Sequence, residues 1–137
     1  MIQAEPVYTI KCDSDFESDI ISIQYGPSEL QVTVAISPDE TYRINFPEQV
    51  WSFRYMEEGD LTYYWSSKQF DSSYLLYEIK KGGWLTKEDS TKGILGIAKS
   101  TEWLKEWFIV TRNFSFTVLS NTQPSMQKMP NKPLKRD

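Results

Sequence analysis

Histidine is absent from the 137-residue chain, cysteine occurs once and alanine only three times. Without imidazole there is no Ser-His-Asp or Cys-His catalysis and no histidine metal ligand. A single thiol makes neither a zinc cluster nor an internal disulfide. The lone Cys12 suits a reducing compartment. A basic surplus is also missing: 15 Lys plus Arg stand against 19 Asp plus Glu, a net charge of −4. That balance argues against a general nucleic-acid binder, which needs a cationic face to displace counterions. Long apolar runs are lacking too. The longest, such as Trp-Phe-Ile-Val at 107–110, are four residues, against roughly 18 for a membrane span. The opening Met1-Ile2-Gln3-Ala4-Glu5-Pro6 has neither the basic start nor the apolar stretch of a secretory leader. A cytoplasmic protein with no membrane partner is the expectation.

What is plentiful favours sheet. Val, Ile, Thr, Phe, Trp and Tyr total 47 residues, whereas Ala, Leu and Met total 16. Branched and aromatic side chains fit a pleated, half-buried surface, while Ala and Leu favour helix. Twenty aromatics is a heavy load for a chain of this length, and these are also the residues enriched in binding hot spots.

Alternation recurs along the chain. Tyr8, Ile10 and Cys12 form one period-2 set. Three more, from Ile21 to Tyr25, Leu30 to Ile36 and Tyr42 to Phe46, are separated by Gly-Pro-Ser and Ser-Pro-Asp-Glu turns. Residues 20–46 are therefore expected to form a three-stranded antiparallel meander. Trp51, Phe53 and Tyr55, then Leu61, Tyr63 and Trp65, predict a hairpin over 49–66. A strand over 74–79 should end at Lys80-Lys81-Gly82-Gly83, with the glycines supplying positive φ. Ser100 caps a predicted short helix over 100–106, in which Trp103 and Trp107 lie four apart on one side. Two apolar runs, 107–111 and 114–119, predict a closing, centrally buried hairpin. The expected fold is all-β or β-rich α+β, an antiparallel sandwich or partly closed barrel of seven to nine strands with one or two short helices. Residues 1–120 would be one domain. The stretch 121–137, with three prolines and four bases, would be a flexible basic tail.

Charge is segregated. Residues 1–60 carry 12 acids and three bases, residues 61–120 six acids and eight bases, and the remainder four bases and one acid. The acids cluster at Asp13, Asp15, Glu17 and Asp19 and again at Glu57, Glu58 and Asp60. Such clusters are either solvated loops or an electrostatic footprint for a basic partner. The 13–19 run fails as a calcium loop: its sixth and twelfth positions are Ser18 and Gln24 rather than Gly and Glu. Alternation would place its acids along one side of an extended edge. The turn acids beside Tyr64 and Trp65 resemble a sugar site in composition, yet a turn beside Gly59 leaves them too exposed for acid–base work. Lys80-Lys81-Gly82-Gly83 lacks the ending of a phosphate loop, and Cys12 has no base to activate it. No catalytic residue, metal ligand or cofactor is assigned. Arg54 falls on the strand face opposite Trp51, Phe53 and Tyr55. With Glu57, Glu58, Asp60, Tyr64 and Trp65 it has the make-up of a protein-binding surface, and Asp13, Asp15, Glu17 and Asp19 form a second candidate edge.

The order Trp51-Ser52-Phe53-Arg54-Tyr55-Met56-Glu57-Glu58-Gly59-Asp60-Leu61, then Tyr64-Trp65, Tyr77-Glu78-Ile79, Gly82-Gly83-Trp84-Leu85, Glu106-Trp107-Phe108-Ile109-Val110-Thr111 and Val118-Leu119-Ser120, covers about residues 50–120. In this ordering and general character the chain resembles the small acidic immunity proteins of bacterial contact-dependent inhibition systems. The resemblance implies a non-enzymatic, cytoplasmic antitoxin, a monomer or a 1:1 complex, that occludes a cognate basic toxin domain, often a nuclease. It implies no direct nucleic-acid contact and assigns no role to any single residue. The positive tail departs from a uniformly acidic pattern. The alternative is a small apolar-ligand carrier with aromatics lining a barrel, whose inward positions would be left unfilled.

Overall fold

The structure is a computed structural model that describes residues 2–13, 15–48, 50–57, 70, 74–81, 83, 104–112 and 114–130. Within them the chain forms nine strands: β1 Gln3–Pro6, β2 Asp19–Gly26, β3 Glu29–Ser37, β4 Glu40–Phe46, β5 Ser52–Glu57, β6 Leu76–Lys81, β7 Lys105–Val110, β8 Phe114–Ser120 and β9 Ser125–Lys128. They make two antiparallel sheets, ordered β1-β6-β7-β8-β5 and β2-β3-β4-β9. The arrangement is a sandwich and not a closed barrel, and no α-helix occurs among the described residues.

Alternation dictates the four-stranded sheet. Leu30, Val32, Val34 and Ile36 of β3 are 0–1% exposed, while Gln31, Thr33 and Ala35 between them are half-buried. Successive side chains point to opposite faces, so one parity enters the core. Ile44 and Phe46 of β4 join them, and from the facing sheet come Leu76, Trp107, Ile109, Phe116 and Val118. These inward positions are filled. The Trp107 indole donates Nε1–H to the Ser120 carbonyl at 3.2 Å, so its burial leaves no donor orphaned.

Strands β7 and β8 lie inside the five-stranded sheet and are buried on both faces, which accounts for their continuous apolar runs. On the outer face Ile2, Met56, Phe70, Tyr77, Ile79 and Phe108 make a second cluster, with Phe70 edge-on to both Tyr77 and Phe108. Gly83 is required by close approach: a Cβ there would lie 2.6 Å from a Glu106 carboxylate oxygen and 2.7 Å from Ile79 Cγ2. Its φ is not in the left-handed region, so the expected positive-φ role does not apply to it, and Gly82 lies outside the described residues.

Three other expectations are corrected, and one, the 49–66 hairpin, lies partly outside the described residues. The 8–12 stretch is not a continuous strand: the chain turns after β1 through positive φ at Tyr8 (66°) and Thr9 (46°), leaving Lys11 in a single bridge to Tyr74. The left-handed region is uncommon for non-glycine residues. Here it redirects the chain so that Leu75 can donate to the Ile10 carbonyl and Val7 to that of Leu76. Second, Lys105 and Glu106 open β7 instead of ending a helix, which puts Trp107 in a strand; residues 100–103 lie outside the described residues. Third, β5 pairs with β8, and the second half of the expected 49–66 hairpin lies outside the described residues. Fourth, the expected flexible tail contains β9, which pairs with β4 and packs Met126 against the core. The ladder and one apolar anchor hold a stretch whose composition alone reads as disordered.

Candidate protein-binding face

Among the described residues, strands β2 and β5 end their respective sheets, and they lie on the same side of the sandwich. Their link is aromatic: the Tyr25 and Phe53 ring centroids are 5.2 Å apart, and Phe53 continues to Phe116 in the core at 5.3 Å. Large hydrophobic residues exposed among the described ones number six, and five of them, Ile21, Ile23, Tyr25, Trp51 and Tyr55, belong to β2, to β5 or to the residue before β5. Ile23 and Tyr25 pair with Val32 and Leu30 and share their inward parity. Their neighbours are buried, yet they remain 37% and 51% exposed. Tyr55 is 47% exposed and stacks on Phe114 at 5.1 Å and 17°. Apolar groups held rigidly at the surface by aromatic contacts have the physical character of interface anchors.

The acidic run borders this side. Residues 12–42 contain seven acids and no Lys or Arg. Asp13, Asp15, Glu17 and Asp19 are all exposed, and neither they nor Glu29 form an ion pair among the described residues. The segment is not the extended edge expected. Phe16 N–H donates to the Asp13 carbonyl at 3.2 Å and Asp15 N–H to Asp13 Oδ1 at 2.9 Å, a turn in which one carboxylate satisfies local backbone. It is pinned at both ends. Asp13 N–H donates to the Ile36 carbonyl at 3.0 Å, and the buried Ser18 accepts Arg112 N–H at 2.9 Å on its hydroxyl. The acids thus form a fixed rim where β2 begins. β5 ends at the same end of the sandwich, with Glu57 opposite Phe114.

The expected site residues divide. Asp13, Asp15, Glu17 and Asp19 make the rim. Glu57 has its backbone at the end of β5, while Glu58, Asp60, Tyr64 and Trp65 lie outside the described residues. Arg54 pairs with Thr117 on the outer face of the five-stranded sheet, opposite Phe53 and Tyr55 as parity required, and does not share the exposed apolar side. Sequence reasoning assigned Ile21, Ile23, Tyr25 and Tyr55 to strands without seeing that they stay exposed. The stretch around β2 that carries acids and no base was the sequence feature that could have flagged them. Cys12 is half-buried, and burial pushes its thiol up from the ordinary 9.0, partly offset by a hydrogen bond with Ser18. This is the reverse of what a nucleophile needs.

No family model, curated protein or solved structure matches this chain.

Proposed function

We propose that the protein is a stoichiometric inhibitor of a basic protein partner, in the manner of an immunity protein that neutralises a nuclease toxin. The observation that carries this reading is the β2/β5 side, where Ile23, Tyr25 and Tyr55 stand exposed beside a rim of four acids with no base in residues 12–42. The rim would draw in the cations with which a nuclease holds phosphate, and the aromatics would anchor the complex and occlude the toxin's site. The packed inward positions, 0–1% exposed along β3, support a binder over an apolar-ligand carrier.

Surface plasmon resonance against the product of the adjacent reading frame, at two salt concentrations, is the test. Asp15→Asn with Glu17→Gln should slow association several-fold and flatten its salt dependence, since steering acts over a Debye length of about 8 Å at physiological strength. Tyr55→Ala should act on dissociation, by about 2 kcal/mol if Tyr55 is a hot spot. Failure of the unmodified protein to bind any basic partner at either salt concentration would remove the reading.

A further inference from the structure

We infer that β2 is a strand-addition edge that accepts an extended, Lys/Arg-bearing segment of the partner as a new outer strand of the four-stranded sheet. The inference rests on the protein-binding reading above and gives it a mode of attachment. Strand β2 pairs with β3 on one side, and among the described residues no strand pairs with its other side. A row of main-chain donors and acceptors is therefore presented outward, which is a template for another chain. Proteins usually blunt such an edge with lysine, proline or a bulge. From Asp19 to Gly26 there is neither lysine nor proline. The one irregularity, between Ile20 and Ser22, leaves residues 22–26 in unbroken register with residues 29–33 of β3.

Side chains and charge specify the occupant. Ile23 and Tyr25 offer an apolar ridge to alternate residues of an added strand, and the contact with Phe53 fixes the Tyr25 ring. Four acids precede the edge at 13–19 and Glu29 follows it. A second copy of this chain, pairing β2 to β2 antiparallel, would bring Glu29 of each copy toward the 13–19 acids of the other, with no Lys or Arg in either 12–42 stretch. Like charges facing each other across strands are unfavourable, so the edge rejects its own copy and favours a strand with basic residues flanking branched ones.

The probe is a fluorescein-labelled peptide of alternating Val and Lys, with a Val/Glu peptide and a proline-interrupted Val/Lys peptide as controls. The Val/Lys peptide should bind with salt-sensitive anisotropy and slow amide hydrogen exchange at residues 22–26 by about tenfold or more, and neither control should do so. Ile23→Lys should weaken its binding by about tenfold or more while Ile23→Val retains it, both with unchanged circular dichroism. Equal binding of the Val/Glu peptide, protection elsewhere, an Ile23→Lys variant that binds normally, or a concentration-dependent dimer that protects β2 would each overturn the inference. If a basic protein partner binds but leaves exchange at 22–26 unchanged, strand addition falls and the inhibitor reading stands. If the peptide protects β2 but no basic protein partner binds, the inhibitor reading falls and the edge stands.

Discussion

Where β1 and β9 run along one side of the sandwich, Tyr8 Oη donates to the Pro124 carbonyl at 2.7 Å and accepts from Gln123 Nε2 at 3.0 Å, tying the two sheets together. The β9 edge is short and polar and ends in Lys128, which pairs with Glu40 at 3.2 Å. Beside β1, Lys80 reaches both Glu5 and Glu78. Where β2 and β5 run along the other side, the Tyr25–Phe53 ring contact joins the sheets, the acids at 13–19 and Glu29 form no ion pair among the described residues, and apolar side chains stay exposed. The first side carries the lysines that proteins use to stop edge association, while β2 on the second has a bulge at Ile21 but neither lysine nor proline. Exposed apolar groups add little to folding, so their persistence on one side is more economically explained by binding than by stability.

The comparison is broken most severely by removing the closed side. Deleting residues 122–137 takes away β9, the buried Pro124 and the Met126 anchor, and it leaves one edge of β4 unpaired. Urea unfolding should show a loss of about 3 kcal/mol, from apolar burial and ladder hydrogen bonds together. An unchanged midpoint would mean that β9 adds nothing to the fold and that the two sides are alike.

Single substitutions sharpen the contrast. Tyr8→Phe removes a hydroxyl that both donates and accepts across the closed side and should cost about 1 kcal/mol. Tyr25→Ala removes the ring contact to Phe53 on the open side and should cost about the same. The two variants part in association: Tyr25→Ala should weaken partner binding and Tyr8→Phe should not. Equal effects on binding would place the interface elsewhere.

Much of this was legible in the residues. The 20–46 meander follows from strict alternation, and its three strands appear as β2, β3 and β4. The runs at 107–111 and 114–119 announced strands buried on both faces. β9 was not legible, because Ser-Met-Gln-Lys offers one apolar residue and lies between prolines, so its order comes from pairing with β4. The turn at Tyr8 and Thr9 was hidden because non-glycine residues give no local sign of positive φ. A serine cap and a four-residue tryptophan spacing predict a helix up to Glu106, whereas Lys105, Glu106 and Trp107 are strand residues held by pairing with β6 and β8. The acid rim was visible as composition, but its fixation through Ser18 and Arg112 joins positions 94 apart in the chain.

A smaller effect is expected at the end of the sandwich shared by both sides, where Cys12 packs partly against the core and lies 3.8 Å from the Val110 carbonyl. Burial raises its folded pKa above the ordinary 9.0. Its contribution is therefore fully present below that value and is lost as pH rises through the folded pKa, because the unfolded chain gives up the proton first. Stability should decline above pH 9 in the native protein more than in Cys12→Ser, measured by urea unfolding across alkaline pH. Parallel curves would show the thiol to be solvated.

The smallest expected change concerns Ile21, the extra residue in the β2 bulge and, at 58%, the most exposed large hydrophobic among those described. A side chain that far in water gives up little transfer free energy on folding, so Ile21→Thr should shift stability by less than about 0.5 kcal/mol, with threonine keeping the branched Cβ that a strand favours. Solubility should rise or stay level. Affinity for the partner should fall, because the same methyl groups that do nothing for the fold would be desolvated in a complex. Calorimetry of the folded protein beside titration of the complex separates the two terms. A loss of stability above about 1 kcal/mol would show that Ile21 packs internally, and the open side would then be part of the core's own surface and no longer an interface.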